Sequence, residues 1–371
     1  MTELRLVGRQ AGLPRADRLG GLAVRLRRGY ALIGGARHGG SSVNPASIPS
    51  ERVPDAAPVT PDDIRAAYAR ISIHVRRTPL LETPSPVSGA ALSLKLEALQ
   101  RSGSFKARGA FRNFLTRPAP AAGCATASGG NHGAAVALAA QELGVPAKIF
   151  VPGISTPAKV ARIRACGAEA VVGGADYAEA QARCDAWVAE SGALKIHPYD
   201  APETVAGAGT VALEWEEDLA RLGRPALDTV LVAVGGGGLI SGVAAWFAGR
   251  VKVVGVEPEG SSALHAALAA KTPVDVSVAS VAADSLGAKR VGDLNFAIAR
   301  SSVAEAVLVS DAAIVEAQRW LWRNVSVVAE PGGAAAFAAL LSGAYRPDRD
   351  ERVGVLVCGS NVDLASFAAL F

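Results

Sequence analysis

The chain has 371 residues, half of them apolar and only 5% aromatic, which is enough material for two packed domains. Its formal net charge of +4 is unevenly spread: residues 1–58 hold nine arginines against four acids, and the remainder holds 29 basic and 30 acidic residues. A near-neutral body removes the electrostatic case for nucleic acid or a membrane surface as partner, and no apolar run of about 18 residues signals a membrane span.

Residues 1–58 are acid-poor and scattered with glycine, and they close on the turn-forming stretch Ser-Ser-Val-Asn-Pro-Ala-Ser-Ile-Pro-Ser, so little packing is expected of them. A disordered extension, a targeting segment and an upstream start codon all account for this composition. Thr60-Pro61-Asp62-Asp63 then supplies an N-cap, a proline at the first helical position and two first-turn acids, predicting a helix over about 61–73. Strands are expected at 92–96, 148–151, 169–172, 229–234, 251–256 and 353–357, most of them separated by alanine-rich helical segments. Such alternation predicts an α/β fold of mostly parallel twisted sheets with helices on both faces, whose ligands sit at the carboxyl ends of strands. Cys124, Cys166, Cys184 and Cys358 show neither CxxC spacing nor clustered histidines, which fits a reducing cytoplasm and no zinc site.

Four segments carry chemistry. In Ser104-Phe105-Lys106-Ala107-Arg108-Gly109-Ala110 a single lysine stands where a helix begins. A lysine amine forms a Schiff base with an aldehyde once burial lowers its pKa, although a solvated lysine on an ordinary first turn reads the same way locally. Ser128-Gly129-Gly130-Asn131-His132-Gly133 is a glycine-bearing turn at another helix start, suited to a carboxylate; His132 taken alone reads as a cap or packing residue. Gly235-Gly236-Gly237-Gly238 follows the most apolar strand and precedes Leu239, so successive N–H groups and a helix N-terminus form a phosphate cradle. The sixth position of a dinucleotide fingerprint falls on Ile240 or Ser241, and no Lys-Ser/Thr pair follows, which excludes a Rossmann fingerprint and a Walker loop. The fourth segment, Cys358-Gly359-Ser360-Asn361, closes the last strand; a bare cysteine there reads as core.

In this order and spacing the four motifs resemble the pyridoxal-phosphate-dependent serine/threonine dehydratases, relatives of serine racemase and threonine deaminase, over about 59–371. The resemblance implies the tryptophan-synthase-β-like fold (type II of the pyridoxal-phosphate enzymes), with a large domain from 59–122 and 198–371 and a small inserted domain from 123–197. It implies that Lys106 holds the cofactor as a Schiff base and that Phe105 lies against the ring. Asn131 would bond the phenolic oxygen, and Gly235 to Gly238 with the N–H of Leu239 would take the phosphate. Ser128, Gly129, Asn131 and His132 would hold the substrate carboxylate, and Cys358 would face the pyridine nitrogen. A thiol there supports a ring nitrogen less than a carboxylate would, which suits β-elimination. The freed Lys106 would remove the α-proton, and the cofactor phosphate would protonate the departing hydroxyl. The implied activity is loss of the β-hydroxyl from L-threonine or L-serine to give a 2-oxo acid and ammonia, by a cytoplasmic dimer acting on a small amino acid.

Two departures bear on that reading. Racemases of the family carry a second serine directly after the one matching Ser128, and here that position is Gly129. The family's divalent-cation site uses the glutamate of a Glu-Pro pair, a carbonyl four residues on and an aspartate six on; Glu257 and Ser261 match, but the last position is Ala263. Metal dependence is therefore not expected, and Glu257 reads equally as a structural acid. Glu330-Pro331-Gly332-Gly333-Ala334 also matches the family, either in support of the cofactor or as a helix-start acid. With ten residues after Asn361, the regulatory domain of biosynthetic threonine deaminases is not expected. Serine racemase and a non-catalytic phosphate-binding module, in which Lys106 merely pairs with an anion, remain the alternative readings.

Overall fold

The computed structural model describes residues 59–88 and 91–371; the expectations made for residues 1–58 lie outside them. Thr60 opens the first helix, Pro61–Ile71, with a reciprocal cap: its Oγ1 accepts from Asp63 N (3.2 Å) and Asp63 Oδ2 accepts from Thr60 N (2.9 Å).

Ten strands follow among the described residues: β1 Leu80–Pro84, β2 Ala91–Leu96, β3 Cys124–Ala127, β4 Ala147–Val151, β5 Glu169–Val172, β6 Leu194–Lys195, β7 Thr229–Ala233, β8 Lys252–Pro258, β9 Glu305–Val309 and β10 Val353–Val357. They form a six-stranded sheet in the order β1-β2-β10-β7-β8-β9 and a four-stranded sheet in the order β5-β4-β3-β6. Every pairing is parallel except the antiparallel β1/β2 edge. Helices flank both sheets, giving the α/β architecture of the tryptophan-synthase-β-like fold. The strands read from sequence are present; β1, β3, β6 and β9 are additional. The second sheet draws all its strands from residues 124–195, and its apolar cluster also takes in Phe111 and Phe114 of the helix Lys106–Thr116.

That helix is tied to the rest through close backbone crossings. A Cβ on Gly207 would lie 2.7 Å from Gly109 Cα, and one on Gly209 would lie 2.7 Å from Gly242 O. Helix Pro202–Arg221 therefore packs against both Lys106–Thr116 and Gly238–Phe247, with no side chain between the backbones at either crossing. The Lys106 and tetraglycine motifs, about 130 residues apart in sequence, thus sit on two helices bolted to one strut.

A buried ion network pins the same junction. Arg108 donates from Nε to Glu97 Oε2 (2.8 Å) and from Nη2 to Glu97 Oε1 (2.7 Å) and Glu214 Oε2 (3.0 Å). Lys95 Nζ reaches Glu214 Oε1 (2.8 Å) and Asp218 Oδ2 (2.9 Å). Lys95, Glu97, Arg108 and Glu214 expose no surface, so each charge depends on its partners. Burial alone would raise the Glu97 carboxyl, but the charge and hydrogen bonds of Arg108 hold it below its ordinary value.

Candidate active site

Residues Gly103 to Phe105 run antiparallel to Cys358 to Ser360, with Phe105 N donating to Cys358 O (3.1 Å) and Ser360 N to Gly103 O (2.8 Å). This short ladder places Lys106, the first residue of its helix, beside Cys358 at the end of β10. Lys106 Nζ donates to Pro198 O at 2.7 Å. The side chain keeps some accessible surface, yet desolvation of the amine pulls its pKa from 10.5 down to about 8, against the opposing charge of Glu330. Burial raises the Cys358 thiol, which stays neutral with Sγ 3.4 Å from Gly332 O.

β7 delivers the tetraglycine to the same pocket. Gly237 has φ +94° and is the N-cap of Gly238–Phe247, a conformation that disfavours any side chain; a Cβ there would also meet Asn295 Cβ at 2.9 Å. The N–H groups of Gly238, Leu239 and Ile240 have no acceptor within the helix and are free to bind an anion. A side chain at Gly236 would run into the ring of Tyr199. Asn295 Nδ2 braces the cradle by donating to Gly236 O (2.9 Å) and Tyr199 O (3.1 Å), and Asp200 caps the helix bearing Asn295 by accepting from Asp293 N and Leu294 N, both at 3.1 Å.

The third motif begins where β3 ends. Ser128 Oγ accepts from Gly130 N (3.2 Å), and Gly130 caps the helix Asn131–Glu142, leaving the first N–H groups of that helix, those of Asn131 and His132 among them, for a ligand. His132 is buried, with Nε2 3.1 Å from Ile196 O; desolvation, then the charge of Lys106, takes its pKa down to about 3. It is a neutral, packed ring, as its position alone suggests. Asn131 Nδ2 donates to Glu330 Oε1 (2.5 Å), and Asn131 Oδ1 accepts from Asn361 Nδ2 (2.6 Å).

Phe105, Lys106, Asn131, Gly235 to Gly238, Leu239 and Cys358 thus line one pocket, joined by Tyr199, Ser285, Leu286 and Glu330. Ser128, Gly129 and His132 lie on the adjoining turn and not on that wall. Glu257 and Ser261 are elsewhere: the Glu257 oxygens accept from Leu264 N (2.8 Å) and His265 N (2.7 Å), and Ser261 Oγ donates to Leu286 O (2.9 Å). Glu257 is therefore a helix-capping acid, and no cluster of three metal-ligating side chains occurs among the described residues.

A family model described as "Pyridoxal-phosphate dependent enzyme" matches residues 71–359. The chain belongs to this family. It is 40% identical over 314 residues to the phenylserine dehydratase of Ralstonia pickettii, covering 82% of this chain and 94% of that protein. It is 36% identical over 313 residues to the L-threonine ammonia-lyase of Thermotoga maritima, covering 82% and 76%. The solved structure of maize serine racemase superposes with a TM-score of 0.77 at 33% identity, covering 84% of this chain and 96% of that one. The chain is a pyridoxal-phosphate-dependent enzyme of the dehydratase, racemase and ammonia-lyase group, acting on small amino acids.

The pocket fits that cofactor on three observations: a buried amine near neutrality, an anion cradle in which side chains at Gly236 and Gly237 would collide with the wall, and a neutral thiol close to the amine. Pro198, Tyr199, Ser285 and Asn295 were not apparent in the sequence. Pro198 acts through its carbonyl and Asn295 from 59 residues beyond Gly236, and neither leaves a local pattern.

Proposed function

We propose that this enzyme removes the β-hydroxyl of L-threonine, L-serine or both, releasing a 2-oxo acid and ammonia. The observation that carries the proposal is Gly129. In the racemases of the family the residue after the Ser128 equivalent presents a hydroxyl; here that residue has no side chain, and one at that position would have to displace Ser155 Oγ. A site with a base on one face and no acid at position 129 favours elimination over inversion.

Pyridoxal phosphate, when bound, supplies the electron sink for the substrate's α-carbon. Lys106 would tether it and, with its amine free, would take the substrate's α-proton; an amine with a pKa of about 8 is suited to that task near neutral pH. The Gly238, Leu239 and Ile240 N–H groups hold the phosphate, and Ser128 with the helix start at Asn131 and His132 holds the substrate carboxylate. The neutral Cys358 thiol lines the same pocket and would partner the cofactor's ring nitrogen only weakly, which would favour prompt departure of the β-substituent. Closure of segment 123–197 over the cleft would bring Ser128 onto the carboxylate and exclude water. The hydroxyl would take a proton, for which the cofactor's phosphate is the donor the resemblance implies, and leave as water; the released enamine would then tautomerise and take up water to give the 2-oxo acid and ammonia.

The test is 2-oxo acid release from L-serine, L-threonine and L-threo-phenylserine, the last chosen because of the Ralstonia relative. We expect release from at least one of the first two and none with Lys106→Ala. Formation of D-serine from L-serine faster than pyruvate would instead establish the racemase reading.

A further inference from the structure

The orientation of the Asn131 amide can be deduced from an atom whose role is fixed. Ser102 O is a backbone carbonyl and can only accept. Asn361 lies 2.9 Å from it, so the Asn361 atom facing Ser102 is Nδ2, and its second N–H is the one directed at Asn131, 2.6 Å away. The Asn131 atom receiving that bond must be Oδ1. Its Nδ2 therefore turns to Glu330 Oε1, at 2.5 Å, and this spends one of its two N–H bonds. The other is unspent, on a side chain that lines the pocket beside Lys106.

Glu330 is placed for this purpose and not as a helix cap. It precedes the helix Pro331–Ser342 but makes no side-chain capping bond to it. Its carboxyl enters the pocket, into space left by Gly359, where a Cβ would collide with Oε1. The residue is 6% exposed; burial pushes its carboxyl up to about 7, against the Asn131 hydrogen bond and the charges of Lys159 and Arg162, with Asp284 adding to the rise.

We propose that Asn361 and Glu330 are positioning residues that lock the Asn131 amide with one N–H aimed into the pocket, so that it presents a donor and never its oxygen to the cofactor's phenolic oxygen. This rests on the reading of Lys106 and Asn131 as cofactor-binding residues. A flipped amide would set its N–H against an Asn361 N–H, losing that bond at any pH, and its oxygen against Glu330, losing the second bond wherever that carboxyl is ionised. A fixed donor stabilises the anionic phenolic oxygen, which keeps the proton shared with the neighbouring Schiff-base nitrogen on nitrogen. That form absorbs visible light; the neutral-oxygen form absorbs in the near ultraviolet.

The experiment reads the visible to near-ultraviolet absorbance ratio of the holoenzyme, the mass of the borohydride-reduced adduct on Lys106, and the melting temperature. In Glu330→Ala and Asn361→Ala we expect the ratio to fall several-fold with the Lys106 adduct still formed. Glu330→Gln, which keeps an acceptor oxygen at the same length, should restore most of it. Adding Glu330→Ala to Asn131→Ala should change nothing further. A wild-type ratio in both alanine variants, whatever their melting temperatures, overturns the proposal, as does a further fall in the Asn131→Ala background. Absence of any Lys106 adduct in the wild-type protein would instead remove the cofactor reading on which the proposal stands.

Discussion

Raising the cofactor-free protein from about pH 6 to about pH 9 should switch on the amine of Lys106. Only the neutral amine attacks an aldehyde, and desolvation brings its pKa from 10.5 to about 8. At pH 7 roughly one such amine in ten is neutral, against about three in ten thousand for an ordinary lysine, a difference of about 300-fold. The assay mixes cofactor-free protein with pyridoxal phosphate, traps the product with borohydride and counts adducts by mass, with Lys106→Ala as the blank. The initial rate should climb about tenfold per pH unit and level off near pH 8. Stability follows the same proton: because the folded value lies below the unfolded one, the unfolded chain binds more protons between about 8 and 10.5, and stability rises with pH across that window. A rate that keeps climbing through about pH 10, as an ordinary lysine's would, refutes the desolvated amine.

Gly236→Ala drives a methyl into the Tyr199 ring, whose backbone oxygen is held by Asn295; overpacking of this kind costs about 1–3 kcal/mol, and cofactor affinity should fall by tenfold or more in an absorbance titration. Gly129→Ser should lower the unfolding temperature through its collision with Ser155 Oγ, and the added Ser155→Ala substitution should recover most of the loss; equal melting curves for the single variant and wild type would contradict the crowding. Burial raises Glu97 and Asp218, but their cationic partners hold both below their ordinary values, so their stabilisation is complete above the unfolded carboxylate range and is lost as pH falls through the folded values. Arg108→Met, which leaves Glu97 and Glu214 buried without that cation, should cost about 3–5 kcal/mol in urea unfolding at neutral pH.

What could be read in the sequence followed local chemistry. β7 is a buried apolar run that ends in glycines, and parallel strands covered on both faces carry that signal plainly. β6 is two residues long and has no run to detect; β9, half-buried at the sheet edge, carries the short apolar run Ala306-Val307-Leu308-Val309, which periodicity alone does not separate from a helical segment. Lys95 shows the limit most clearly. A charged residue within Leu92-Ser93-Leu94-Lys95-Leu96 suggests a solvent-facing position, yet it is buried on Glu214 and Asp218, partners about 120 residues away. In the site, Lys106, Asn131 and the glycines announce themselves because helix starts and glycine runs are local features. The bracing atoms Pro198 O, Asn295 Nδ2 and Glu330 Oε1 act only through the tertiary fold.

The central claim is that Lys106 works on one face of the substrate and that the β-hydroxyl then leaves. It is tested most directly by incubating L-threonine with the holoenzyme in deuterium oxide, then analysing the 2-oxo acid and the configuration of the recovered amino acid together. The account expects 2-oxobutanoate to accumulate while recovered threonine keeps its configuration at the α-carbon, with any deuterium there introduced by retention. Accumulation of the α-inverted isomer, D-allo-threonine, ahead of 2-oxobutanoate would contradict it.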